Sequence, residues 1–197
     1  MAIAAVRSAQ LSDVDEIVRI QSVTWQAAYA GLVPDGALAQ LTGPEARQAW
    51  TDAVAAAAAA DEKPAGSPGD NTFHVLVATE GEWTVGFCAA AGYRGEGGVI
   101  AEVSTLLVEP RWGRRGHGGR LLAHAAKALR DSGADHGRAW VPESDAASLR
   151  FYTTARWAPD GAVRTLDTGA GSIREVRVAG PLDLALSGEA GAEVVGP

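Results

Sequence analysis

Apolar positions recur at helical spacing near the start of the chain, where Val14, Ile17, Val18 and Ile20 line one side of an amphipathic segment. Ser12 followed by Asp15 has the form of a capping box opening that helix. A short strand over residues 2–7 precedes it; the segment from Trp25 to Leu41 carries the aromatics Trp25 and Tyr29, and then Gly31 and Pro34, which should break the helix before a second short one. Residues 44–60 end in an alanine tract with high helix propensity and little to bury. The stretch 61–71, DEKPAGSPGDN, is flexible turn chemistry. The period then switches to two. FHVLVAT (73–79), the turn EGEW and TVGFCAAAG (84–92) predict an antiparallel hairpin. IAEVSTLLV (100–108) predicts a buried strand stopped by Pro110. After it come a helix over 120–133 closed by Gly133, a strand over 137–141, a helix over 145–155, and strands near 162–167 and 173–179. Residues 187–197, mostly Gly, Ala and Glu, offer little to pack, so a disordered tail is expected behind a single domain over 1–186. Mixed strands and helices in this order predict an α/β domain.

Composition narrows the picture. Of the 47% hydrophobic residues, 40 are alanines, leaving 52 larger apolar side chains, enough for a core. Seventeen basic and 24 acidic side chains give a net charge of −7, which argues against nucleic acid or an anionic membrane surface as a partner. Cys88 is the one cysteine, so neither a disulfide framework nor a cysteine zinc cluster can form. The first residues, MAIAAVRSAQLSD, lack the charged flank and apolar run of a secretory signal, and no apolar stretch approaches a membrane span. A reducing, cytoplasmic setting is the expectation.

Candidate chemistry concentrates in LLVEPRWGRRGHGGRLL, residues 106–122, where a buried strand passes through a turn rich in glycine and arginine into a helix. A helix start of this kind binds phosphate, because its first N–H groups lack intrahelical partners, sit at the positive end of the dipole and are unshielded at glycine. Arg111, Arg114, Arg115 and Arg120 reverse the local sign of an acidic protein, which points to an anionic ligand. A Walker A loop needs Gly-Lys, and the only lysines are Lys63 and Lys127. A Rossmann fingerprint counted from Gly116 meets Leu121 where a third glycine belongs.

Val108, Pro110, Gly116 and Gly118 instead follow V-x-P, three residues, x-x-G-x-G. This resembles the acetyl-CoA turn of the GNAT superfamily of N-acetyltransferases. WQAAYAGLVPDGAL (25–38) resembles that family's early helix–loop–helix, and WVPESDAASLRFYTTARW (140–157) its second cofactor segment. The chain departs from the pattern at Gly113, where Arg or Gln is usual, at Asp145 for Asn, at Ser148 for Ala, and at Arg156 for Gly before the aromatic Trp157.

The resemblance implies a mixed, mostly antiparallel sheet of six or seven strands flanked by helices, with strands 100–108 and 137–141 as splayed parallel neighbours. It implies acetyl-CoA as co-substrate, with the pantetheine arm bonded to Leu106, Leu107 and Val108 and the pyrophosphate held by Arg114, Arg115, Gly116, His117, Gly118 and Gly119. Asp145 and Ser148 belong to the second cofactor segment. The implied reaction is direct acetyl transfer to a primary amine, the acceptor partner; a homodimer is compatible with it. The same turn would also serve a catalytically idle acyl-CoA-binding module.

An alkylammonium must lose a proton before it attacks. Glu102, at the opening of the strand before the turn, is the expected base, and the resemblance makes Tyr152 the general acid for the departing thiolate. Trp25 and Tyr29 are candidate walls of an acceptor pocket, with core packing as the alternative. His117 is expected to face solvent or the cofactor, and Glu80, Glu82 and Glu96 to be hairpin and loop charges. His74, His124 and His136 show no ligand-like clustering, so no metal is expected. Cys88 reads as a buried apolar residue.

Overall fold

The computed structural model describes residues 3–29, 36, 43–61, 71–95, 98–168 and 171–184. In chain order these form β1 (Ala4–Ser8), α1 (Val14–Tyr29), α2 (Pro44–Asp61), β2 (Thr72–Glu80), β3 (Trp83–Gly95), β4 (Gly98–Val108), α3 (His117–Asp131), β5 (His136–Pro142), α4 (Ala146–Thr154), β6 (Ala158–Asp167) and β7 (Ser172–Pro181). The strands make one seven-stranded sheet in the order β1-β2-β3-β4-β5-β7-β6. Every neighbouring pair is antiparallel except β4 with β5. The expected mixed, mostly antiparallel α/β sheet with a central parallel pair is thus the fold observed. The flexible stretch expected over 61–71 lies largely outside the described residues, as does the tail.

Two apolar layers sandwich the sheet. On one face Val14, Ile17, Val18 and Ile20 of α1, all buried as their spacing predicts, meet Val54 of α2 and Val75, Val77 and Phe87. Trp50 of α2 lies edge-on to Phe87 with ring centroids 5.1 Å apart. Within the alanine tract itself Ala57 is the buried residue, so the tract buries little, as expected. On the other face Leu121, Leu122 and Leu129 of α3 and Tyr152 of α4 pack on Val85, Cys88, Val103, Ala139 and Val141. Each fully buried Leu or Ile stabilises the fold by about 1.5–3 kcal/mol.

The start of α1 differs from expectation. Asp13, not Asp15, is the capping carboxylate: it accepts from Gln10 N at 2.8 Å and from Arg7 Nη1 and Nη2 at 2.7 and 2.8 Å. A 3-10 turn over Leu11–Asp13 precedes the α-helix as a result. Burial would raise the Asp13 pKa, yet the Arg7 and Gln10 bonds outweigh it and hold the carboxyl below its usual range. The β2–β3 hairpin closes through a two-residue turn, with Glu80 opposite Trp83 and Gly81 at φ 62°.

Candidate active site

β4 and β5 are bonded only where Ala101, Glu102 and Val103 face Gly137, Arg138 and Ala139. Beyond that last rung both strands continue without pairing, to Val108 and Pro142. On its other edge β4 stays paired to β3, with Leu106 opposite Cys88, Leu107 opposite Phe87 and Val108 opposite Gly86. Alternate residues of this stretch therefore present backbone N–H and C=O to the gap. A bulge interrupts β4 at Ser104, whose hydroxyl donates to Ala89 O at 3.1 Å. The extra residue resets the alternation, so Val103 and Leu106 both reach the α3 core while Glu102 and Leu107 take the opposite face.

The glycine-rich turn leads from the gap into α3. After a 3-10 turn over Pro110–Trp112, Arg114 adopts φ 61° and Gly116 φ 82°, both left-handed, and the helix begins at His117. The first intrahelical bond runs from Arg120 N to Gly116 O at 3.0 Å, and no side chain caps the helix. The N–H groups of His117, Gly118 and Gly119 precede that bond and are open to an anion. A Cβ on Gly118 would sit 3.3 Å from the Phe151 ring, whereas one on Gly119 would meet nothing within 4 Å. A groove of about 490 Å³ runs from this helix start to the end of α4, lined in part by Gly116, Gly119, Arg120, Phe151, Arg156 and Asp183.

Two carboxylates anchor the turn, and neither was legible as such. Glu80, expected to be a hairpin charge, accepts from His117 Nε2 at 2.8 Å and from Arg115 Nη1 at 3.0 Å. The His117 side chain is buried, so it faces neither solvent nor a cofactor; only its backbone N–H is presented at the helix start. Arg115 also lies over the Trp112 ring, 4.9 Å from the centroid, which leaves Arg114 the less committed of the two expected phosphate partners. Glu109, buried behind β4, binds Arg111 at 2.7 Å and Arg19 of α1 at 2.9 Å. Burial would raise the Glu109 pKa, but these two guanidiniums hold it below the ordinary range.

Glu102 lies within β4, four residues past its start, on the middle of the three parallel rungs and not at the strand opening. Its Oε2 accepts from Arg138 Nε at 2.8 Å, and Arg138 also donates to the Tyr93 hydroxyl. Tyr152 is buried, stacked on Trp157 at 5.3 Å and close enough to Cys88 to feel its thiol. Burial first, and Cys88 second, push the Tyr152 pKa well above the ordinary phenol value. Burial also pushes the Cys88 thiol up to about 12. Asp145 caps α4, accepting from Ala147 N, Ser148 N and the Ser148 hydroxyl at 3.1, 3.0 and 2.6 Å, so both side chains are committed to positioning that helix. Arg156 keeps the left-handed turn expected of glycine, at φ 64°, and its Nη2 binds Asp183 at 2.9 Å. Trp25 is partly buried on α1; Tyr29 ends that helix, and its side chain lies outside the described residues. Among the described residues no group of three or more His, Cys, Asp or Glu could hold a metal ion.

Comparison with known proteins agrees with this geometry. The PaiA N-acetyltransferase from Thermoplasma acidophilum in complex with coenzyme A superimposes with a TM-score of 0.65 at 16% identity, over 91% of this chain and 99% of that one. The YncA structure from Salmonella typhimurium with its cofactor acetyl-CoA gives 0.63 at 18% identity, over 95% and 99%. A ribosomal-protein-alanine N-acetyltransferase from Brucella melitensis gives 0.66 at 18%, over 90% and 99%. At such identities these likenesses show the fold. No curated protein sequence matches the chain. The acetyltransferase (GNAT) family profile matches residues 37–155. The chain belongs to the acetyltransferase (GNAT) family.

Proposed function

We propose that the protein transfers an acetyl group from acetyl-CoA to a primary amine. The observation that carries this is the parting of β4 from β5 after Val103 and Ala139, directly beside an uncapped helix start entered through the left-handed Gly116. The first feature offers backbone groups to an extended amide chain, and the second offers N–H donors to a pyrophosphate. In this reading the pantetheine arm lies along Leu106, Leu107 and Val108, and the pyrophosphate meets the N–H groups of His117, Gly118 and Gly119. Arg114 adds charge there, while Asp145 and Ser148 contribute by holding α4 in place. The nucleotide end follows the groove past Arg120 and Arg156.

The thioester carbonyl then lies near the gap, with Glu102 on one face of the sheet and Tyr152 on the other. The amine attacks the carbonyl carbon, and Glu102 takes its proton directly or through water, since only Oε2 is engaged by Arg138. Backbone N–H groups stabilise the tetrahedral oxyanion, and its collapse expels the CoA thiolate. With its pKa raised, Tyr152 stays a neutral phenol, better suited to donate a hydrogen bond to the departing sulfur than to surrender its proton. Cys88 stays protonated and buried, which fits direct transfer without an acyl-enzyme. Trp25, half-buried on α1, is the residue of that helix proposed to border the approach of the amine.

Acetyl-CoA binding tests the first half of this reading. At 100 times its dissociation constant the ligand should stabilise the fold by about 2.7 kcal/mol, a rise of several degrees in melting temperature for a chain of this size. No shift at millimolar acetyl-CoA would contradict it.

A further inference from the structure

We propose that the acceptor amine also carries a carboxylate, bound by Arg164 and Arg177 beside Trp140. This deepens the acetyl-transfer reading and rests on it.

The strand registers place these side chains together. On β5, Gly137, Ala139 and Val141 are buried towards α3 and α4, so Arg138 and Trp140 take the opposite face. Trp140 faces Arg177 of β7, and Glu175 of β7 faces Arg164 of β6. Directly opposed residues share a face, so Glu102, Arg138, Trp140, Arg177 and Arg164 form one band across β4, β5, β7 and β6. The helices α1 and α2 of that side pack over β2, β3 and β4. Trp140 is the first β5 residue past the last parallel rung, so the band begins at the proposed base, crosses β5 at one wall of the opening and continues over β7 to the β6 edge. α3 and α4 occupy the other side, which leaves this face for the acceptor.

The chemistry of the band favours an anion. Arg164 and Arg177 lie over the Trp140 ring, with guanidinium carbons 4.4 and 5.7 Å from its centroid. Each is anchored through Nε: Arg164 to Glu175 at 2.6 Å and Arg177 to Asp160 at 2.7 Å. A guanidinium fixed at Nε and laid on an aromatic ring keeps its two Nη groups as a pre-oriented fork that matches a carboxylate. The Arg164 side chain is 43% exposed and that of its anchor Glu175 only 12%, so an arriving ligand meets the cation first. A polycationic acceptor would instead find Glu102, Glu175 and Asp160 already engaged by arginines.

The test uses the full chain, acetyl-CoA and matched acceptors with and without the carboxylate: 5-aminopentanoate against pentylamine, and phenylalanine against phenethylamine, with spermidine as a polycation, read by CoA thiol release. The expected result is a kcat/KM at least about tenfold higher for the carboxylate member of a pair, falling towards parity when Arg164→Met and Arg177→Met are combined. A retained melting shift with acetyl-CoA shows that this variant is folded, and Arg164→Lys with Arg177→Lys should restore only part of the preference. Parity in the wild-type protein, a preference for spermidine, or a ratio unchanged by the double substitution would overturn the inference while leaving acetyl transfer intact. If no amine is acetylated, calorimetry with N-acetyl-5-aminopentanoate separates the two ideas. Arginine-dependent binding would uphold the carboxylate site and refute transfer, and no binding would refute both.

Discussion

Glu80, the last residue of β2, and His117, the first of α3, are joined by a 2.8 Å bond in which the imidazole Nε2–H donates to the carboxylate. The bond ties the helix start to the sheet through a side chain that is almost completely buried, and the same carboxylate holds Arg115. The turn's backbone donors are thereby fixed before any ligand arrives, the condition under which a helix terminus binds an anion with little ordering cost.

Glu80→Gln should therefore lower stability by about 1.5–3 kcal/mol, the range for a hydrogen bond to a charged group. It should also weaken CoA more than dephosphorylated pantetheine. Chemical denaturation and calorimetry with both ligands check this, and equal loss for the two would reduce Glu80 to a packing anchor.

The glycines of the turn should separate strain from ligand contact. Gly116→Ala forces a Cβ into φ 82° and should cost about 1–2 kcal/mol of stability. Gly119→Ala meets open space and should leave stability unchanged or raise it by up to about 1 kcal/mol, yet it places a methyl group among the proposed pyrophosphate donors. Reduced acetyl-CoA affinity in a fully stable Gly119→Ala protein is the expected outcome; unchanged affinity would move the phosphates elsewhere.

Arg114 and Arg115 should differ. Loss of the Arg114 guanidinium should weaken CoA by roughly 1.5–3 kcal/mol and barely affect pantetheine. Arg115→Ala should act mainly on stability, since Arg115 is spent on Glu80 and Trp112. Reversal of the two effects would reassign the charge.

Much of this architecture was legible because it follows from local rules. The spacing of Val14, Ile17 and Val18, the apolar run before Pro110, and Gly133 at φ 93° after α3 each have a physical signature within a few residues. What escaped depends on contacts distant in sequence. Glu80 and His117 are 37 residues apart and Arg19 and Glu109 are 90 apart, so nothing near Glu80 distinguishes it from an exposed hairpin carboxylate. The bulge at Ser104 is equally silent in the sequence, and it decides that Leu107, not Leu106, shares a face with Glu102. Arg156 shows the reverse: an unfavourable residue in a glycine position, with the turn retained because its neighbours determine it.

Acid should destabilise the protein through Asp13 and Glu109. Both pKa values lie below their unfolded values near 3.9 and 4.3. Their stabilisation is thus complete above that range and is lost as pH falls through the depressed folded values. Melting temperatures measured from pH 6 downwards should drop below about pH 4, and Glu109→Gln should start lower and fall less steeply. A wild-type curve flat to pH 2 would contradict the pairing.

Catalysis at the opening between β4 and β5 is tested by turnover of the wild-type protein beside Glu102→Gln. With acetyl-CoA and a panel of primary amines, CoA thiol release and acetylated amine should appear in equal amounts. The substitution should lower the rate by about 10² to 10⁴ with acetyl-CoA affinity preserved. Acetyl-CoA binding without thiol release from any amine, or a Glu102→Gln protein as fast as wild type at every pH, would contradict the account.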